Sequence, residues 1–291
     1  STVIEMVHHK DTTSMYFVSE PTIYTQGWDT LAQPHFWKRV MTLGSDSCLI
    51  NIAKTRQILA TMHIKTWDKQ TEKEKDLYRD SIRKQYKLGK EDKVYRTMGK
   101  NDFYDFDKVM PSISKGIEVF KKQGVDPFYA QAILLIESPG KLAKSTTGAY
   151  GAFQLMKSVA ISHGLKVNKK VDERKDFVKS AKGASSLVKR TCLPQARRIL
   201  KANKIKFNEN DLWFKLVVLH IYHAGAGNVS GAIAQLKNKK PGREIITQLW
   251  QTNYKGFKNA SQNYSQLALA SLLKLNDIIQ EDCMHTYTCD K

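Results

Sequence analysis

Nowhere in the 291 residues is there an unbroken apolar run of about eighteen or more, so no segment is expected to span a membrane. No charged-then-apolar leader opens at Ser1; the sequence starts like a processed chain, and its compartment has to be argued from other features. Cysteine is scarce. Cys48, Cys192, Cys283 and Cys289 show neither C-x-x-C spacing nor paired histidines, so no metal is expected. Their even count suits two disulfides in an exported protein, with Cys283 and Cys289 closing a small loop; free buried thiols are the alternative, and spacing does not choose. Internal repeats, low-complexity tracts and the GxxxxGK[ST] phosphate loop are missing too, and no cofactor is expected.

Acidic residues are the minority, 28 against 47 basic, for a formal charge of +19. The excess is uneven: between Lys157 and Lys206 fifteen Lys/Arg stand against three Asp/Glu. Such a surface attracts polyanions, although a solvated helix face is the ordinary reading of any one charge run. No RNP-like aromatic motif or zinc finger accompanies it, so nucleic acid is not the expected partner. A hydrophobic share of 41% is enough to fill a sizeable core.

Residues Met15 to Tyr24 mix aromatic and β-branched side chains around Pro21 and read as an edge strand or extended arm. From Phe36 the pattern turns helical, with Leu49, Ile52, Ala53 and Ile58 at helical steps, followed by solvated helices from Lys65 to Lys100 with ion pairs around Asp76, Arg79, Asp80 and Arg83. The polar and aromatic stretch Gly99 to Asp107 reads as the join between an N-terminal accessory region, residues 1–107, and a main domain, residues 108–291. There Pro111 opens a helix that Gly124 ends. Asp126 and Pro127 start the next, which runs to Glu137 and stops at Pro139 and Gly140. Further helices are predicted over Asp176 to Arg190, Asp211 to His223, Val229 to Leu236, Glu244 to Thr252 and Asn263 to Ile279, so the main domain is nearly all α.

Three segments carry chemistry. Glu137 follows Ala132-Ile-Leu-Leu-Ile136, a run apolar on every side, and so ends a buried helix. Burial and the negative helix end both raise a carboxyl pKa, as a general acid requires; a buried ion pair is the alternative. Ser145 to Met156 carries Gly148 and Gly151, which permit close backbone approach, with Gln154 just ahead of a helix. In Ile221 to Val229, Tyr222 faces a ligand or caps a core helix, and His223 is a base or a structural histidine.

In order and spacing these segments resemble the soluble lytic transglycosylases of goose-lysozyme-like fold. Glu137-Ser138 is similar to that family's catalytic Glu-Ser. Gly148-Ala-Tyr-Gly-Ala-Phe-Gln-Leu-Met156 is similar to its Gly-Ala-x-Gly-Leu-Met-Gln-hydrophobic motif, and Tyr222 to Val229 to its Tyr-Asn-Ala-Gly-x-Gly-Asn-Val. Asn263-Tyr264 falls where the family carries a late tyrosine. The resemblance covers roughly Ser112 to Leu273. Three departures bear on subsite geometry: His223 in place of asparagine, Phe153 and Leu155-Met156 around Gln154, and Pro139-Gly140 after the acid.

The resemblance implies a mainly α, lysozyme-like catalytic domain behind a mostly helical N-terminal region. It also implies cleavage of peptidoglycan glycan strands with Glu137 as single acid and base. Ser138, Gln154, Met156, Tyr222, His223 and Tyr264 would hold substrate or orient the acid. It implies an exported monomer, periplasmic or attached to the outer envelope, whose basic surface meets the anionic groups of the wall. A hydrolytic lysozyme would need a second acid, for which Asp172, Glu173 and Asp176 are candidates. A silent wall-binding module would not need Glu137 at all.

Overall fold

The computed structural model describes residues 1–138 and 145–290. Strands β1 (Thr2–His8) and β2 (Ser14–Ser19) form a hairpin, followed by the short α1 (Thr22–Thr25) and α2 (Ala32–Thr42). A second small sheet follows: β3 (Ser47–Ile52), β4 (Ile58–His63) and β5 (Val94–Met98), with α3 (Ile64–Asp68) and α4 (Glu72–Gln85) inserted before β5. The remainder is helical: α5 (Phe106–Lys122), α6 (Phe128–Glu137), α7 (Lys157–Ser162), α8 (Phe177–Leu187), α9 (Leu193–Ala202), α10 (Leu212–Ala224), α11 (Ala226–Ala234), α12 (Arg243–Leu249) and α13 (Asn259–His285). A final strand, β6 (Tyr287–Asp290), returns to pair with β1, giving the order β2-β1-β6. Cys283 and Cys289 form a disulfide between α13 and β6, whereas Cys48 and Cys192 are free and buried.

The stretch around Leu49 is strand and not helix. β3 lies between β4 and β5, with Leu49 in the main core and Ile50 in a second small core with Trp67, Ile82 and Val94. Both faces are therefore apolar, and the period-2 signal that would have marked a strand is erased. The ion pairs Arg79–Asp76 and Arg83–Asp80 form on α4 as expected. α5 begins before Pro111, because Asp105 caps it by accepting from Lys108 N at 3.4 Å. Pro111 then sits inside the helix at an exposed position, without the N–H that would bond the carbonyl of Asp107. The helix ends at Gln123 with Gly124 at φ +66°, and Asp126 accepts from Phe128 N at 2.9 Å to begin α6. Pro139 and Gly140 lie outside the described residues. Helices α8 and α9 are joined by a π-helical turn, Val188–Cys192, where the sequence pattern ended a helix at Arg190.

Every residue of α6 from Phe128 to Ile136 is buried, as is every residue of α10 from Leu212 to Ile221. α5 packs on α6, with Gly116 allowing the approach: a Cβ there would lie 2.8 Å from Leu134 Cδ1. α13 packs on α6, α10 and α2, and one continuous core extends from Met6 and Phe17 to Ile279. The amide of Gln131, fully buried on α6, donates to Val18 O and accepts from Val18 N, both at 2.8 Å. It thereby saturates the outer edge of β2 as a further strand would. Lys215 on α10 is 1% exposed and reaches Asp126 at 2.9 Å and Glu20 at 3.2 Å, so a buried cation is compensated from both sides.

Gln131→Leu would strand the N–H and C=O of Val18 in the core. It is expected to lower stability by roughly 2 to 4 kcal/mol, read as a lower urea midpoint at unchanged m-value.

Candidate active site

Glu137 occupies the last turn of α6, and no cation among the described residues pairs with it. Burial pushes its pKa up to about 7, opposed by the hydroxyl of Tyr264, which donates to Oε1 at 2.8 Å. The helix C-terminus adds negative potential in the same upward direction as burial. Tyr264 stands on the buried part of α13, and its own phenol is pushed well up by burial and by the Glu137 charge, so it stays a donor. The ring of His223 stacks on Tyr264 with centroids 4.5 Å apart. His223 is exposed on its outer side, yet protein on its inner side lowers its pKa.

The segment from Ser145 to Met156 folds into a tight turn in which Tyr150 and Leu155 exchange both backbone hydrogen bonds at 3.1 Å. Gly151 has φ +84°, and a Cβ there would run into the carbonyl of Arg174, so a side chain is excluded on two counts. Gln154 is held at φ +47°, a conformation that costs a non-glycine residue, with its Nε2 donating to Gly151 O at 3.0 Å. Buried Arg174 pins the turn by donating to Gly148 O and Leu155 O, each at 3.0 Å. Asp172 fixes that guanidinium through two bonds, of 2.7 and 2.9 Å.

Ser138 and Tyr222 tie this turn to the helices. Ser138 Oγ donates to Ala152 O and Tyr222 OH to Phe153 O, both at 2.6 Å. Tyr222, expected to reach Glu137, thus spends its hydroxyl on the loop. Glu137, Gln154, Met156, Tyr222 and His223 line one cleft of about 390 Å³, with Thr191 and Cys192 of the π-helical turn opposite. Ser138 and Tyr264 sit behind its wall. A larger groove of about 810 Å³ between β2 and α5 holds none of these residues.

Among the described residues lining the cleft, Glu137 is the sole carboxylate. Asp172 is engaged by Arg174, Glu173 pairs with Lys179 at 2.8 Å, and Asp176 caps α8 by accepting from Lys179 N. No three His, Cys, Asp or Glu side chains among the described residues form a group suited to a metal ion. Arg174 and Tyr104 were missed by the sequence patterns. Tyr104 is buried near enough for the Glu137 charge to help raise its phenol, and the aromatic cluster Phe103, Tyr104, Phe106 was its only sequence signal.

A buried acid at a helix end, faced by a glycine-rich turn in a helical domain, defines a lysozyme-like site. Residues 116–245 match the family model for the transglycosylase SLT domain, and this part of the chain is similar to that family. The match includes Glu137, Ser138, Gln154, Met156, Tyr222 and His223, and ends before Tyr264. No curated protein matches the chain. Among the described residues no helix is long and apolar enough to cross a membrane.

The raised acid has a stability signature. Its pKa moves from 4.5 to about 7 on folding, so the cost of ionising it in place is absent below pH 4.5 and complete above about 7. Glu137→Gln is therefore expected to match wild type near pH 4 and to be the more stable protein near pH 8. The difference is at most about 3 kcal/mol, lessened by the carboxyl's contact with the open cleft. Denaturant titrations at the two pH values measure it.

Proposed function

We propose that this chain is a peptidoglycan lytic transglycosylase that cleaves the β-1,4 bond between N-acetylmuramic acid and N-acetylglucosamine, with Glu137 as single general acid and base. The observation that carries the reading is an acid with pKa near 7, held by one tyrosine hydroxyl, in the cleft of an SLT-like domain. Protonated Glu137 gives its proton to the bridging oxygen, and the C1–O bond breaks through an oxocarbenium-like state. The carboxylate then takes the proton of the muramic C6 hydroxyl, whose oxygen bonds to C1. The product is a 1,6-anhydromuramic end, no water is consumed, and the acid is restored to its starting form.

Tyr264 steadies the carboxylate half of the cycle, since its hydroxyl bond favours the ionised form. Tyr222 and Ser138 serve by holding the turn, Gln154 and Met156 by meeting the sugar, and His223 by shaping the rim where the family has asparagine. The want of a second carboxylate among the described lining residues favours the lyase over a hydrolase. The enzyme would act as an exported monomer in the periplasm or on the outer envelope, where its substrate lies. The basic stretch from Lys157 to Lys206 would meet the anionic wall. Residues 1–107 would form an accessory region beside the catalytic part, residues 108–291, sharing its core.

Mass spectrometry of the soluble products from isolated peptidoglycan tests the proposal. Wild type is expected to release anhydromuropeptides, and Glu137→Gln to be slower by roughly 10²- to 10⁴-fold. Reducing-end muropeptides would mean a hydrolase, and no product from either protein a silent binding module. As pH rises through about 7 the acid form is lost, so kcat/KM is expected to fall there.

A further inference from the structure

Arg56 is 4% exposed and has no carboxylate partner among the described residues. It lies in the turn between β3 and β4 at φ +60°, the left-handed region that a long side chain rarely adopts. Its guanidinium donates to Asn51 Oδ1 at 3.2 Å, Asn259 Oδ1 at 3.1 Å and Asn263 Oδ1 at 2.8 Å. The rings of Phe36, Trp37 and Tyr95 surround it at 5.2 to 5.7 Å. Burial pulls its pKa down only to about 10, so it remains a cation at neutral pH.

Two of these features, the buried charge and the left-handed backbone, are unfavourable for stability taken alone. A buried charge lacks a counter-ion, and it sits against the first turns of α13, whose N-terminus is itself the positive end of the helix. A strained backbone and an uncompensated charge persist only where the surroundings hold them, and such places are often functional. What the cation grips is specific. Asn263 immediately precedes Tyr264, and Lys258 supplies no side-chain cap to α13. Trp37 Nε1 adds a bond to Gln266 Oε1 at 2.9 Å on the same helix.

We infer that Arg56 is a positioning residue: by holding Asn259 and Asn263 it sets the first turns of α13 so that Tyr264 delivers its hydroxyl to Glu137. The N-terminal region thereby governs the donor of the acid without entering the cleft. The inference rests on Glu137 being the acid of the site. Among the described residues the ionisable groups around Glu137 are Tyr264, Tyr222, Tyr104, His223 and Cys192, and none is supplied by Arg56's own turn.

The test is the titration of Glu137 by ¹³C NMR in protein labelled at the glutamate carboxyl, the resonance being assigned by its loss in Glu137→Gln. No substrate is present, so a failure of the lyase reading would show in the product analysis and not here. Tyr264→Phe removes a hydrogen bond that favours the carboxylate, and the midpoint of Glu137 is expected to rise by roughly one pH unit. Arg56→Met, whose removal of a cation strands no buried carboxylate, is expected to fold and to raise the midpoint likewise. Combined with Tyr264→Phe it should add nothing further. Asn263→Ala, which deletes the shortest guanidinium contact, should move the midpoint in the same direction, and it decides the matter if Arg56→Met does not fold. An unmoved midpoint in the folded variants, whatever their melting temperature, reduces Arg56 to a structural residue and overturns the inference. So does a shift by Arg56→Met that persists in the Tyr264→Phe background.

Discussion

The structure is arranged around one electrostatic constraint, a carboxyl at the end of a buried helix with a phenol as its hydrogen-bond donor. Among the described residues no cation relieves Glu137, and burial is the main influence that raises its proton affinity. That enclosure takes four neighbours: β2 through Gln131, α5 through the gap at Gly116, α10 and α13. Each packs against a helix that has no solvent face to spare. Hydrophobic burial and acid strength are therefore one property here, and elements far from the cleft contribute to the chemistry by excluding water from α6.

The opposite wall is held by apolar and polar means together. Ala152, Phe153 and Leu155 root the turn in the core, and its carbonyls are taken by Arg174, Ser138 and Tyr222. Arg174 is in turn oriented by Asp172, so two residues in a strongly basic segment are consumed in fixing the loop. The turn is thus fixed through its own backbone carbonyls, and Gln154 and Met156 line the cleft from it.

What was legible in the sequence follows from these two kinds of support. α6, α10 and α13 announced themselves because their apolar runs are long, and Glu137 stood out because a carboxylate ends the most apolar of them. The cleft side chains Gln154, Met156, Tyr222 and His223 came with motifs whose order is local. β3 was misread because it serves two cores and so hides its alternation, and Pro111 because capping by Asp105 outweighed it. Arg174, Tyr104 and Arg56 act through partners distant in sequence, and no local pattern marks such a pairing. Two of the three asparagines that receive Arg56, Asn259 and Asn263, lie some two hundred residues beyond it.

The π-helical turn between α8 and α9 is an α-helical path with one residue too many, and each residue of an α-helix advances about 100° around the axis. That surplus directs Thr191 and Cys192 to the cleft, so this wall is defined by chain length as much as by side-chain identity. The wide turn absorbs the extra residue locally, so α9 keeps Ala196, Ile199 and Leu200 on the core although the chain before it is one residue longer than a regular helix would need. The bulge therefore lets one helical path serve two ends, an apolar face for the core and a widened turn for the cleft wall.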